Sequence, residues 1–234
     1  MSILILLTAL LPVAILVFYI YRKDKNLPEP TSQLVKAFLW GVLSAPLSFF
    51  ISVPFGLLGL YPAEATTVLG SVCTAFFGAA IPEECAKLFV LWLVLRKNPF
   101  FDEKMDGIVY AVCVSLGFAA LENILYLFSD TESFLSIGIV RAIFAVPGHF
   151  CFGILMGYYY SIAKFYPKSS IKNKILVLLA PIIAHGLYDS ILFVMNVTPI
   201  ISGLLLIVFL VFCHKMWKYS SQRIEKHLRR DQIH

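Results

Sequence analysis

Residues 66–95 read TTVLGSVCTAFFGAAIPEECAKLFVLWLVL, and this stretch decides the fold of the chain. It is an apolar run of 30 residues with two glutamates and one lysine in its middle. Since a helix needs about 20 residues to cross the hydrocarbon core of a bilayer, the run predicts a transmembrane helix. Charged side chains are costly in that environment and mark functional sites by default. The stretch therefore predicts a membrane protein that uses polar groups inside the bilayer.

Similar apolar runs occupy most of the remaining chain. Charged residues make up 14% of the 234 residues and the mean hydropathy is +0.84, whereas about 25% of the residues of a soluble protein are charged. The predicted fold is an all-α, polytopic transmembrane bundle of about seven spans that forms one membrane-embedded domain. The predicted spans are roughly 3–21, 37–60, 66–95, 107–128, 134–163, 175–195 and 199–214.

The distribution of lysine and arginine predicts the orientation of the bundle. Segments 22–36, 96–106, 164–174 and 215–234 hold 17 of the 19 basic residues, and the loops on the opposite side hold none. Because cytoplasmic loops are enriched in basic residues, the N-terminus is predicted outside and the C-terminus inside, with the tail as a basic anchor. Short basic clusters between apolar runs indicate contact with a lipid bilayer and argue against a nucleic-acid partner, despite the net charge of +5.

Two of the predicted spans are longer than a bilayer requires and contain proline. Pro82 directly precedes Glu83, and Pro147 directly precedes Gly148 and His149. Proline removes a backbone hydrogen bond and favours a kink or a break in a helix. Irregular backbone inside a membrane is tolerated where it lines a polar cavity. Both prolines therefore predict irregular backbone next to a polar site.

Eight ionisable side chains and one amide lie inside predicted spans at overlapping depths. They are Glu83, Glu84 and Lys87 in the third span, Glu122 and Asn123 in the fourth, Arg141 and His149 in the fifth, and His185 and Asp189 in the sixth. Any one of them could serve as a counter-ion or a helix bridge, but so many together indicate a site. Glu83 and Lys87, like His185 and Asp189, are spaced i,i+4 and share a helix face.

A stripe of small residues accompanies one of these groups. Gly153 and Gly157 follow His149 at successive intervals of four residues, so all three lie on one helix face. Small residues allow the backbones of two membrane helices to approach closely. The spacing predicts that another helix packs tightly against the face that carries His149.

The residue set predicts hydrolytic chemistry. A glutamate shielded from bulk water can act as a general base toward water, and imidazoles can polarise a scissile carbonyl and stabilise the oxyanion. Alternatively, a divalent metal such as Zn²⁺ could activate the water, held by Glu84, Glu122, His149 and His185. The residues alone leave both arrangements open.

Two other classes of protein would use similar residues. Proton- or cation-coupled transporters contain buried carboxylates and histidines, but many also show repeated halves, and this sequence shows no repeat. A seven-span receptor has no need for so many buried acids, and a retinal protein of the usual kind needs a lysine in its last span, which 199–214 lacks. We therefore favour an intramembrane protease over a transporter and a receptor.

Four short motifs resemble the PrsW family of bacterial membrane proteases. They are Pro82-Glu83-Glu84-x-x-Lys87, Gly117-Phe118-x-x-x-Glu122-Asn123, Arg141 with Gly148-His149, and His185-x-x-x-Asp189, in this order between residues 36 and 195. More distantly, the chain is similar to the CAAX-processing, Abi-type glutamate proteases. It departs from the motifs of that group at Lys87, Glu122 and Asp189.

The resemblance implies proteolysis of a single-span membrane protein in the bacterial cytoplasmic membrane. PrsW-like proteins make the first, extracytoplasmic-side cut in an anti-sigma factor, which leads to release of a sigma factor in envelope stress. The same likeness implies that Glu83 and Glu84 form the base pair, that His185 contacts the carbonyl or a metal, and that His149 is its partner. Supporting roles are implied for Lys87, Glu122, Asn123, Arg141 and Asp189.

Overall fold

The computed structural model describes residues 1–24, 27–166, 168 and 171–232, and this part of the chain is helical without strands. The helices are α1 (Ser2–Lys23), α2 (Thr31–Leu57), α3 (Val68–Cys73), α4 (Ile81–Leu95), α5 (Lys104–Ser129), α6 (Phe134–Val140), α7 (Val146–Phe165), α8 (Ile171–Val197) and α9 (Ser202–Asp231). Two π-helical segments, Thr74–Ala80 and Arg141–Ala145, join α3 to α4 and α6 to α7. A 3₁₀ turn, Pro199–Ile201, precedes α9.

Six helical stretches are long and apolar enough to cross a membrane, which confirms the predicted all-α membrane bundle. They are α1, α2, α5, the continuous run of α6 and α7, α8, and α9 with its preceding turn. The predicted third span corresponds to the helical run Val68–Leu95, which is divided into α3, a π-helical segment and α4. Its glutamates and lysine lower the apolar character of this run. Six of the described helices, and not the predicted seven, therefore meet both criteria for a span.

Helix α5 occupies the centre of the bundle. Every residue from Lys104 to Ala120 is buried, and the helix contacts α1, α2, α4, α7 and α9. In contrast, α1 and α9 expose many large apolar side chains, such as Leu7, Phe18 and Leu204. Such exposure is costly in water but suits a surface that faces lipid tails. Helix α5 is thus the central helix on which these neighbouring helices pack.

The close packing of α7 against α5 depends on glycine. A Cβ atom on Gly157 would lie 2.2 Å from the carbonyl oxygen of Gly107, and one on Gly153 would lie 3.0 Å from the carbonyl oxygen of Ala111. This confirms the close approach that the small-residue stripe predicts. His149, on the same face of α7, is thereby held against α5.

Helix α9 continues well beyond the predicted end of its span at residue 214. Asp231, in its last turn, accepts hydrogen bonds from the backbone N–H groups of Lys104 (3.1 Å) and Met105 (2.9 Å), and from the Lys104 ammonium (3.1 Å). The first N–H groups of a helix lack partners within the helix, and a carboxylate there is favourable. The basic tail is therefore not only an anchor but a helix docked on the start of α5.

Candidate active site

Each π-helical segment ends directly before a group of site residues. Thr74–Ala80 is followed by Pro82 and the two glutamates, and Arg141–Ala145 is followed by Pro147 and His149. A π-helix has a wider turn than an α-helix and is frequent at functional sites. The irregular backbone predicted at both prolines is present, but as a wider turn in a continuous helix and not as a break. Each segment shifts the helix face on which the following polar side chains lie.

Lys87 lies at the centre of the site and is fully buried. Its Nζ lies 2.8 Å from Oε1 of Glu84, 3.3 Å from Oε2 of Glu83 and 3.2 Å from Nδ1 of His149. It also lies 4.1 Å from the ring centroid of Phe118, within the range of a cation–π interaction. An ammonium group only donates hydrogen bonds, so Nδ1 of His149 must accept. This contact assigns the proton of the neutral His149 ring to Nε2.

A chain of hydrogen bonds holds His149 from its other side. Its Nε2 lies 2.9 Å from Oε2 of Glu122, which also accepts a hydrogen bond of 2.7 Å from Nη2 of Arg141. Nε of Arg141 donates to Oδ1 of Asn123 (2.6 Å), and Nδ2 of Asn123 donates to the carbonyl oxygen of Ala9 (3.0 Å). These bonds connect α7 and its π-helical segment to α5 and α1, and they fix the position of the imidazole.

His185 has a carboxylate at each ring nitrogen. Nδ1 lies 2.9 Å from Oε1 of Glu84, and Nε2 lies 3.2 Å from Oδ2 of Asp189 and 3.9 Å from Oε2 of Glu83. The ring stacks on Phe152, with 4.6 Å between centroids and 16° between planes. The contact with Asp189 confirms the pairing that the i,i+4 spacing predicts. The imidazole is thus held by charge at its edges and by an aromatic ring at its face.

The structure brings all nine predicted residues into one network, together with Phe118, which lies in one of the four motifs, and two residues that sequence reasoning missed. The ring centroids of His149 and His185 lie 5.5 Å apart. The missed residues are Phe152 and Ser115, and the Ser115 hydroxyl donates to the carbonyl oxygen of His149 (2.7 Å). Phe152 follows His149 by three residues and lies on the same face of α7, so this spacing could have identified Phe152 as a residue of the site.

The site has a buried floor and an accessible edge. The side chains of Glu84 and Lys87 are fully buried, whereas those of Glu83, Asp189 and Glu122 are 14%, 15% and 21% exposed. The three exposed carboxylates come from α4, α8 and α5. Because a reacting peptide bond and a water molecule must reach the catalytic groups, this edge is where a substrate can approach.

One part of the network fits a divalent metal ion. Glu83, Glu84 and His185 each offer a ligand atom, and these atoms lie within 4.8 Å of one another. Oε2 of Glu84 is buried and has no hydrogen-bond partner among the described residues. Carboxylates and imidazole are common zinc ligands in catalytic sites. Of the metal ligands suggested by the sequence, Glu122 and His149 lie outside this group and pair with each other.

The formal charges of the site also fit a divalent ion. The network contains four carboxylates, on Glu83, Glu84, Glu122 and Asp189, but only two side chains with a permanent positive charge. In this structure both ring nitrogens of His185 face carboxylates, so the ring carries both protons and the site has an excess of one negative charge. In the neutral form of His185 that binds a metal, the excess is two negative charges. Buried charge of this kind requires compensation, and a divalent cation supplies the matching charge.

A helical membrane bundle with a glutamate–histidine site inside it is the arrangement expected of an intramembrane hydrolase. The chain belongs to the PrsW family: the family profile described as "PrsW family intramembrane metalloprotease" matches residues 29–215. The chain is therefore a membrane-embedded protease and a multi-pass protein of the bacterial cell membrane.

Relatives named "Protease PrsW" align with most of the chain. The relative from Clostridioides difficile (strain 630) is 36% identical over 226 residues, which cover 95% of this chain and 90% of the relative. The relative from Oceanobacillus iheyensis is 37% identical, and the alignment covers 80% of this chain and 82% of the relative. The relative from Bacillus subtilis (strain 168) is 37% identical, and the alignment covers 76% of this chain and 77% of the relative. No solved structure matches the chain.

Proposed function

We propose that this protease cleaves a single-span, membrane-tethered protein, and that the cut is the first, extracytoplasmic-side cleavage of an anti-sigma factor in envelope stress. The convergence of Glu83, Glu84 and His185 at an accessible edge inside the bundle carries the proposal. The likeness to PrsW-type proteases supports this substrate class. A substrate embedded in the same bilayer can reach that edge by lateral diffusion.

The proposed topology has seven spans, an outer N-terminus and a cytoplasmic C-terminus, with the whole chain as one protease domain. In this topology Val68–Leu95 is the third span, and its charged residues face the site and not the lipid. The contacts of Asp231 with Lys104 and Met105 support a common side for the tail and the segment before α5. Both segments are rich in basic residues, as cytoplasmic segments are.

We assign the general base to Glu83. Its carboxylate is partly exposed, whereas that of Glu84 is fully buried between Lys87 and His185. Only a group in contact with water can take a proton from it. Glu84 then acts by holding the lysine and the imidazole in place. Asp189 orients His185 from the other ring nitrogen.

The metal of the family would be held by Glu84 and His185, with Glu83 at the open side of the set. When bound, it supplies a Lewis acid that polarises a carbonyl and activates water. His149 lies next to this set, with the proton on Nε2 directed toward Glu122. Lys87, Arg141, Asn123 and Glu122 are positioning residues, because they act on the catalytic groups through charge and hydrogen bonds.

The test is cleavage of a tagged single-span anti-sigma factor by purified protein in detergent or liposomes. Wild type, Glu84→Gln and His185→Ala are compared with and without a strong chelator, and Glu132→Gln, at an exposed carboxylate, is the matched control. Only wild type and the control are expected to cut, and the chelator is expected to stop them. Equal cleavage by all four proteins would contradict the site, and no cleavage by folded wild type would contradict the substrate.

A second variant separates the base from a metal ligand. Glu83→Gln is expected to abolish cleavage while the metal content of the purified protein, measured by mass spectrometry, stays at the wild-type level. Glu84→Gln is expected to lower both. If Glu83→Gln also loses the metal, Glu83 is a ligand and the assignment as the base is wrong.

A further inference from the structure

A second group of carboxylates lies at the end of the bundle that carries the basic segments. Asp24 directly follows α1, Glu103 is the N-cap of α5, and Asp106 lies in the first turn of α5. Each offers an oxygen atom, and the three oxygens lie within 4.8 Å of one another. Asp24 and Asp106 are 2% and 1% exposed. Burial of converging carboxylates is unfavourable unless something compensates their charge.

Among the described residues, the hydrogen bonds around this cluster leave two buried oxygens without a partner. Oδ2 of Asp106 accepts from the backbone N–H groups of Asp102 (2.9 Å) and Glu103 (2.6 Å), and the Glu103 carboxylate accepts from the N–H of Asp106 in return. Oδ1 of Asp106 and Oδ2 of Asp24 are buried, and neither has a hydrogen-bond partner in the described part of the chain. Helix capping therefore accounts for only part of the cluster.

Among the described residues, the charged groups near the cluster have other partners. Glu29 accepts a hydrogen bond from Tyr110, the Lys104 ammonium is paired with Asp231, and the Lys164 ammonium donates to the carbonyl oxygen of Phe101. The cluster is thus a buried position with an excess of negative charge.

We propose that Asp24, Glu103 and Asp106 bind a hard divalent cation, Ca²⁺ or Mg²⁺, at this end of the bundle. Two oxygens that each lie about 2.4 Å from one ion can be no more than about 4.8 Å apart, and the three oxygens meet this limit. Ligand sets made only of oxygen select such hard cations over zinc. The ion binds one oxygen from each of the three carboxylates and joins the end of α1 to the start of α5.

The proposed site is independent of the active site. It shares no residue with the catalytic network, and its ligands include no imidazole. Its expected role is structural, since α5 also carries Phe118, Glu122 and Asn123 toward its other end. An ion that holds the start of α5 stabilises the helix on which the catalytic network is built.

The test is direct binding of Ca²⁺ to the full chain, purified in detergent and stripped with a chelator. Equilibrium dialysis measures the bound calcium in wild type, Asp24→Asn and Glu103→Gln, and Mg²⁺ is used as a second ion and as a competitor. Glu132→Gln is the control for loss of an exposed carboxylate, and Glu84→Gln is the control for binding at the catalytic site.

One cation per chain is expected in wild type and in both controls, with at least a tenfold weaker affinity in Asp24→Asn and Glu103→Gln. Thermal unfolding should shift upward with the ion in wild type but not in these two variants. If Asp24→Asn does not fold, the affinity of Glu103→Gln alone tests the proposed site. Absence of binding at millimolar Ca²⁺ and Mg²⁺, or equal binding by wild type and the folded cluster variants, would overturn the proposal. Both results are independent of whether the protein cleaves its substrate.

Discussion

Replacement of Lys87 by methionine tests how the active site is held together. The lysine is fully buried and pairs with Glu84, which is also fully buried, at 2.8 Å and with Glu83 at 3.3 Å. Methionine matches the apolar part of the side chain but leaves Glu84 without its cation. Removal of one partner of a buried ion pair costs about 3–5 kcal/mol, because the remaining charge stays buried without compensation.

This loss should be visible as a large drop in thermal stability. For chains of this size each kcal/mol corresponds to about 2–4 °C, so the unfolding midpoint of Lys87→Met is expected to fall by about 6–20 °C. The measurement is thermal unfolding of metal-stripped protein in detergent, which removes the contribution of any bound ion. Lys97→Met is the matched control, since Lys97 is exposed and its replacement should shift the midpoint little.

A double variant separates lost charge from lost packing. Glu84→Gln combined with Lys87→Met removes both members of the pair, so a neutral amide replaces the stranded carboxylate. We expect the double variant to recover much of the stability that Lys87→Met loses, with a coupling energy of about 1–3 kcal/mol. Two results would refute the reasoning: a midpoint for Lys87→Met equal to that of the control, or losses in the two single variants that simply add.

Two further predictions concern the packing around α5. Gly157→Ala places a Cβ atom 2.2 Å from the carbonyl oxygen of Gly107, so α5 and α7 must separate, at a cost of about 1–3 kcal/mol. The control is Gly203→Ala, because a Cβ atom there would have no atom within 4 Å. Equal unfolding midpoints for the two variants would contradict the packing argument. Asp231→Ala removes the acceptor for the Lys104 ammonium and for two N–H groups of α5, and it should lower the free energy of unfolding by about 1–3 kcal/mol. A protease should then cut the end of α9 faster than in wild type. An unchanged rate of cutting would show that the tail is not docked on α5.

The convergence of the polar residues could be predicted from the sequence because it depends on local counts. Spacing of i,i+4 places Glu83 with Lys87 and His185 with Asp189, and the structure shows both contacts. Distance along each apolar run gives the depth of a residue in the membrane, at about 1.5 Å per residue. Neither count needs any knowledge of how the helices pack.

The pairing between helices could not be predicted in the same way. His149 contacts Lys87 and Glu122, and its ring lies nearly perpendicular to that of His185. Which side of α4 or α7 faces the site depends on the rotation of each helix, and a π-helical segment directly upstream changes that rotation. The sequence indicates irregular backbone at both prolines but not its form.

The end of the last helix was missed for a different reason. Hydropathy falls after residue 214, so the predicted span ends there, but the tail is rich in lysine and arginine, which are good helix formers. Its helix is stabilised by contact with the start of α5. The acidic cluster was missed because Asp24 and Asp106 are far apart in sequence and resemble ordinary loop charges until the ends of α1 and α5 are brought together.

The order of residues in α4 explains how two adjacent glutamates take different roles. Successive residues in an α-helix point about 100° apart, so Glu83 and Glu84 approach the site from different sides of α4 and are buried to different extents. Lys87 follows them by four and three residues and reaches both carboxylates, with the shorter contact to the buried one. One acid is thereby locked to the lysine and to His185, while the other stays at the accessible edge. A lysine one position further along the helix, at residue 88, would lie four residues after Glu84 but five after Glu83, so it would face Glu84 and not Glu83. A single cation would then no longer contact both acids, and the arrangement on which the proposed roles of Glu83 and Glu84 depend would be lost.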